Sequence, residues 1–236
     1  MRNIILSGAG KNALSTAVMT RAIAEIREAR EEPLFLTGDG DAFSAGLNLK
    51  ELSTLDVAGM STFLHALEEL VTALYEHPSP VVAFVNGHAI AGGCVLALTA
   101  DMRVMTGRDG ARIGLNEVAL GLRFPPLTFA MLRARLGPSL ERVLLEADLY
   151  RAPEAKALGI VDVIAEEADA RALLAKLASH PRDIYAATKL LVRPRLTLSD
   201  ADGAQFRDQT IPYWASPEKR QQMLSLLERA KAAKPQ

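Results

Sequence analysis

The chain has 236 residues, 49% hydrophobic and 23% charged, with 27 basic against 28 acidic side chains and a formal charge of −1. That length holds one large domain or a domain with an appendage, and that composition can bury a real core. Balanced charge gives no global pull toward nucleic acid or a membrane surface. No apolar run reaches the roughly 18 residues of a transmembrane helix. The only cysteine, Cys94, excludes an intrachain disulfide and fits a reducing, cytoplasmic compartment.

Along the chain, Ile4-Ile5-Leu6 reads as a short strand ending at Ser7-Gly8-Ala9-Gly10. Val18, Met19, Ala22, Ile23 and Ile26 then recur at helical spacing, until Pro33. Leu34-Phe35-Leu36 is a continuous apolar run, as in a strand covered on both faces. Gly38 to Asp41 is a turn, and Val57, Met60, Leu64, Leu67, Val71 and Leu74 mark a long amphipathic helix. Val81 to Val85 is a second buried strand, closed by Asn86-Gly87, and Gly92-Gly93 opens a helix through Leu96 and Leu98. Two short strands, Arg103 to Met105 and Ala111 to Ile113, flank a Gly107–Gly110 turn. Past Pro125-Pro126 the pattern is mostly helical. Pro153 and Gly159 bracket one helix, and Ile160 to Ile164 reads as a strand. From Glu166 onward helices break at Pro181, Pro194, Pro212 and Pro217. The order favours an α/β core at 1–180 with a helical part at 181–236.

Three segments could carry chemistry. Small residues in Ser44-Ala45-Gly46 allow backbone N–H groups to approach a ligand, although a plain turn needs the same residues. Gly92-Gly93 at a helix start offers unpaired N–H groups and a positive dipole end, although close strand–helix packing also requires glycine. Glu117 follows the apolar Ile113-Gly114-Leu115. If buried it is a proton shuttle, and if at an open strand end it is a solvated surface carboxylate. Cys94 has no activating partner in sequence and reads as a small buried hydrophobe, and His88 as a turn histidine. The four histidines show no metal-ligand spacing, so no metal is expected. Gly8-Ala9-Gly10-Lys11 lacks the full phosphate-loop pattern, and no dinucleotide fingerprint follows a strand.

Taken together, Leu36-Thr37-Gly38 through Phe43-Ser44-Ala45-Gly46-Leu47-Asn48-Leu49-Lys50-Glu51-Leu52, Pro80 through Asp101, Ile113 through Glu117 and Ala152 through Asp162 resemble the crotonase (enoyl-CoA hydratase/isomerase) superfamily in order and spacing. The resemblance implies a spiral of ββα units, a helical C-terminal trimerisation part, homotrimers or dimers of trimers, and acyl-CoA substrates without a separate cofactor. It implies that the N–H groups of Ala45 and Gly92 form an oxyanion hole and that Glu117 moves a proton. Leu47, Asn48 and Leu49 match the stretch that holds the adenine end of CoA. Lys11, and more loosely Arg229, match basic positions near CoA, and Gly93, Val95 and Asn116 fall within the substrate-lining segments.

The departures select the reaction. Hydratases of this superfamily carry a second Glu where this chain has Val95. Adding water requires one group to activate the water and another to protonate carbon, whereas a single carboxylate suffices to carry a proton from C2 to C4. The resemblance is therefore greatest to the Δ3,Δ2-enoyl-CoA isomerase branch. A hydratase or hydrolase would need a second acid, such as Glu51 or Asp101. Asp101 is expected to fix a helix end and Glu51 to face solvent. A non-catalytic acyl-CoA binder is the remaining alternative. Arg123-Phe124-Pro125-Pro126-Leu127 replaces a glycine-rich stretch, making Phe124 and Leu127 candidates for the acyl-pocket wall. The family's usual first strand has no counterpart ahead of Ile4.

Overall fold

The computed structural model describes residues 1–232. Eight strands are present among them: β1 (Arg2–Leu6), β2 (Leu34–Gly38), β3 (Ala42–Ser44), β4 (Val81–Val85), β5 (His88–Ile90), β6 (Met102–Met105), β7 (Ile113–Gly114) and β8 (Val163–Ile164). They form two sheets, a five-stranded one in the order β1-β2-β4-β6-β8 and a three-stranded one in the order β3-β5-β7. Every pairing is parallel.

The apolar runs explain the larger sheet. Leu34 and Leu36, with Val81, Ala83 and Val85, point into the main core. Phe35, with Val82 and Phe84, points to the opposite face against Ala170 and Leu174. A strand covered on both sides has no reason to alternate with polar residues. The smaller sheet is built from two- and three-residue strands, each following a strand of the larger sheet. Three ββα units result, as the crotonase resemblance implies.

The helices in chain order are α1 (Ala9–Asn12, a single left-handed turn with positive φ at Gly10, Lys11 and Asn12), α2 (Thr16–Ala29), α3 (Leu49–Leu52), α4 (Val57–Tyr75), α5 (Gly92–Thr99), α6 (Pro126–Leu136), α7 (Leu140–Glu146), α8 (Ala152–Ala157), α9 (Glu167–Ala178), α10 (Arg182–Val192), α11 (Asp200–Gln205), α12 (Ile211–Trp214) and α13 (Pro217–Ala232). The predicted stripes of α2 and α4 are buried, apart from Val57 at the exposed first position of α4. Ser15 and Asp56 cap these helices by accepting from Val18 and Gly59 N–H.

Two strand expectations change. Of Ala111 to Ile113 only Ile113 is strand, and β6 and β7, on either side of Gly107–Gly110, belong to different sheets. Of Ile160 to Ile164 only Val163 and Ile164 are strand. The N–H groups of Ile160 and Val161 instead donate back to the Ala155 carbonyl, closing α8 around left-handed Gly159. No described helix is long and apolar enough to cross a membrane.

Candidate active site

The two glycine-bearing segments pack backbone to backbone. A Cβ on Gly93 would sit 2.4 Å from the Ser44 carbonyl oxygen. One on Gly46, whose φ is +91°, would sit 2.8 Å from the Ile90 carbonyl oxygen and 3.5 Å from the Gly92 nitrogen. Glycine is therefore required for the loop after β3 to reach the start of α5. Ala91, which precedes that helix, has a φ of +50°, a costly conformation for a non-glycine residue. Its N–H donates to the Gly114 carbonyl at 2.9 Å, which ties the start of α5 to the end of β7.

The donor inventory corrects one expectation. The Ala45 N–H is not free: it donates to the Lys11 carbonyl at 2.9 Å, because the left-handed turn through Gly10, Lys11 and Asn12 presents that oxygen to it. The Gly46 N–H is also taken, by Ser44 Oγ at 3.2 Å. Among the described residues, the Leu47 N–H has no protein acceptor, and neither does the Gly92 N–H at the first position of α5. The segments that carry them touch, since a Cβ on Gly92 would lie 2.9 Å from Leu47 Cδ2 and one on Gly46 would lie 3.5 Å from the Gly92 nitrogen.

Glu117 is placed by β7, three residues beyond the Gly114 that anchors Ala91. It is 7% exposed, and its Oε2 is buried without a hydrogen-bond partner. Burial pushes its carboxyl from 4.5 up to about 8, opposed only by a backbone hydrogen bond of its own residue. The Cys94 thiol, in the first turn of α5, is pushed up first by its own complete burial and next by the Glu117 charge. The open-strand-end alternative for Glu117 does not hold. Asn116 beside it carries a buried Oδ1 that also lacks a partner.

The remaining candidates fall around this centre or away from it. Gly93 is buried beneath the Ser44 carbonyl, and Val95 is a 2% exposed core residue, so the second carboxylate position is apolar. Leu47 and Leu49 are half-buried against the core, while Asn48 Oδ1 caps α3 by accepting from the Glu51 N–H at 3.2 Å. Lys11 is exposed and lies 3.8 Å from Asp41. Phe124 and Leu127 are half-buried against the core just before and within the first turn of α6. Arg229 lies exposed on α13.

Neither alternative acid is available. Asp101 accepts from the Val81 N–H at 2.7 Å and pairs with Lys189 at 2.9 Å and Arg193 at 2.8 Å. Glu51 does not simply face solvent: it accepts from the Thr16 N–H at 3.2 Å and the Thr16 hydroxyl at 2.5 Å, capping α2. A further buried carboxylate that sequence reasoning missed, Glu68 on α4, accepts from the Leu127 and Thr128 N–H groups and the Thr128 hydroxyl. It serves as the N-terminal anchor of α6. Among the described residues no cluster of His, Cys, Asp and Glu is arranged to hold a metal ion.

A family model described as enoyl-CoA hydratase/isomerase matches residues 4–234. The chain belongs to the enoyl-CoA hydratase/isomerase family. Among its relatives, a putative enoyl-CoA hydratase of Thermus thermophilus is 34% identical over 203 residues, covering 80% of this chain and 79% of that protein. The human mitochondrial enoyl-CoA delta isomerase 1 is 32% identical over 210 residues, covering 83% of this chain and 70% of that protein. A crystal structure of human mitochondrial delta3-delta2-enoyl-CoA isomerase superposes with a TM-score of 0.84 at 26% identity, covering 97% of this chain and 93% of that one. Family membership makes this an acyl-CoA enzyme; hydratases and isomerases both stand among the relatives.

Proposed function

We propose that this enzyme shifts a double bond from the 3 to the 2 position of an enoyl-CoA. The observation that carries the reading is the buried Glu117 carboxyl, whose Oε2 has no partner, three residues past the Gly114 carbonyl that fixes the start of α5, with an apolar Val95 where a second carboxylate would stand. The Leu47 and Gly92 N–H groups polarise the thioester carbonyl and hold the negative oxygen that develops when C2 loses its proton. One such donor is worth about 2.7–4 kcal/mol of barrier. Glu117 takes the C2 proton as a carboxylate and returns it to C4 as a carboxylic acid, leaving the residue as it began. Its raised acidity range suits both halves of that transfer. The step is redox-neutral and moves one proton, so it calls for no cofactor. Phe124 and Leu127 wall the acyl chain, and Lys11 and Arg229 supply positive charge toward CoA.

Water addition would require a second acid–base group, and Glu51, Glu68 and Asp101 are all engaged in fixing structure. We further propose that the 1–180 core holds the acyl-CoA site and that 181–236 assembles a homotrimer, or a dimer of trimers. Exposed Ile184, Leu191 and Val192 on α10 support an assembly role. A reducing, cytoplasmic setting suits the lone thiol of Cys94. The test is to incubate the protein separately with 3-enoyl-CoA and 2-enoyl-CoA esters and identify products by mass and conjugation absorbance. A conjugated product of unchanged mass supports isomerisation. A product heavier by one water overturns it in favour of hydration, and no turnover of any 3-enoyl-CoA leaves a binding protein.

A further inference from the structure

The loop carrying Glu117 into α6 is held by side chains from the far end of the chain. Tyr213 donates its hydroxyl to the Gly121 carbonyl at 2.6 Å. Trp214 Nε1 donates to the Arg123 carbonyl at 3.0 Å, and Gln222 Nε2 to the Leu120 carbonyl at 2.8 Å. Three of the four carbonyls from Leu120 to Arg123 are thus taken by α12 and α13. Two cations lie over the Tyr213 ring, the Arg123 guanidinium 4.2 Å and the Lys219 ammonium 4.8 Å from its centroid. Gly121, at a φ of +59°, leaves room for this arrangement, since a Cβ there would lie 3.1 Å from Lys219 Nζ. The loop also closes on itself, with the Leu122 N–H donating to the Glu117 carbonyl at 2.9 Å. α13 also reaches the segment just past α3, where Arg220 donates to the Leu55 carbonyl at 3.1 Å.

We propose that Tyr213, Trp214 and Gln222 are positioning residues that hold the 117–123 loop closed, so that the C-terminal helices act on Glu117 through three backbone carbonyls. The proposal deepens the reading of Glu117 as the proton carrier and rests on it. Loop carbonyls at a surface normally bond water, and water could enter with them. Saturating them with an indole, a phenol and an amide keeps the loop seated over the carboxyl. The charged or titratable groups around Glu117 and its loop are Cys94 from α5, Glu68 from α4, Arg123 of the loop and Lys219 from α13. Tyr213→Phe removes the Tyr213 phenol, which donates to the Gly121 carbonyl, and leaves these four groups with their partners, so a change in Glu117 titration in that variant reports loop opening, whereas Gln222→Ala also removes the acceptor of the Lys219 ammonium at 2.9 Å.

The test uses the whole protein with Tyr213→Phe alone, which leaves the Lys219 ammonium its Gln222 partner, and with Tyr213→Phe plus Gln222→Ala as the stronger variant. Tyr213→Phe keeps the ring against its two cations and removes only the hydroxyl. Glu117 is titrated by infrared difference spectroscopy against the same background carrying Glu117→Gln, and kcat and KM for 3-enoyl-CoA are measured. The expected result is a carboxyl midpoint lowered by about one pH unit or more as water reaches the group. It comes with about a tenfold loss of kcat and a KM held within about twofold. An unmoved midpoint, whatever happens to melting temperature, overturns the proposal. The titration needs no turnover, so a moved midpoint in an inactive parent enzyme would uphold the clamp while refuting Glu117 as the isomerase base.

Discussion

Replacing Glu117 by Gln should make the protein more stable at alkaline pH, by an amount that depends on pH in a defined way. The unfolded chain releases this proton near 4.5, whereas burial holds it in the folded protein up to about 8. Below 4.5 both states are protonated and the group does not distinguish them. Between the two values the unfolded state is charged and the folded state neutral, so stability falls as pH rises, by about 1.4 kcal/mol per pH unit. Above about 8 the loss levels off near a ceiling of about 5 kcal/mol. Glutamine does not titrate, so it carries no such slope, and its constant packing cost cancels in the pH dependence. Urea unfolding of both proteins at equal concentration, from pH 5 to 9, measures the difference directly. The stability advantage of Glu117→Gln should grow by about 4 kcal/mol between pH 5 and 8 and then flatten. Parallel stability curves across that range would refute the claim that this carboxyl is buried and neutral in the resting enzyme.

Three other expectations follow from the same geometry. The kcat/KM for 3-enoyl-CoA should rise with pH through about 8, because the free enzyme must lose the Glu117 proton before it can accept one from C2; a flat profile over pH 6–9 would contradict this. Gly93→Ala forces a Cβ to within 2.4 Å of a main-chain oxygen and should cost about 1–3 kcal/mol or more, read as a fall in melting temperature. Asp101→Asn leaves Lys189 and Arg193 buried without their counter-ion and should cost about 3–5 kcal/mol in urea unfolding, with the reaction product unchanged by mass.

Much of the frame was legible before the structure because its physics is local. Leu34–Leu36 and Val81–Val85 read as buried strands since both faces are covered, and the α2 and α4 stripes read as helices since one face is. The short strands β3, β5 and β7 are only two or three residues long, and their pairing partners lie far off in the chain, so periodicity carries little trace of them. The site divides the same way. Glu117 is buried with an unpartnered Oε2, and Gly92 opens α5. Ala45 does not supply a free donor, because its N–H is consumed by a carbonyl from a left-handed turn 34 residues earlier, which no local pattern announces. Leu47, expected only as part of the adenine-binding stretch, has the open N–H instead. Glu51 and Glu68 became caps for helices distant in sequence. Likewise, the clamp from Tyr213, Trp214 and Gln222 joins residues 91 to 102 positions apart.

The central claim is that one dry carboxyl beside main-chain donors does the chemistry, and the most direct measurement is turnover of 3-enoyl-CoA by purified Glu117→Gln alongside its affinity for a non-reactive acyl-CoA. Affinity should stay within about threefold of the parent while kcat falls by about 10²–10⁴. A variant that still converts 3-enoyl-CoA at the parental rate would contradict the account.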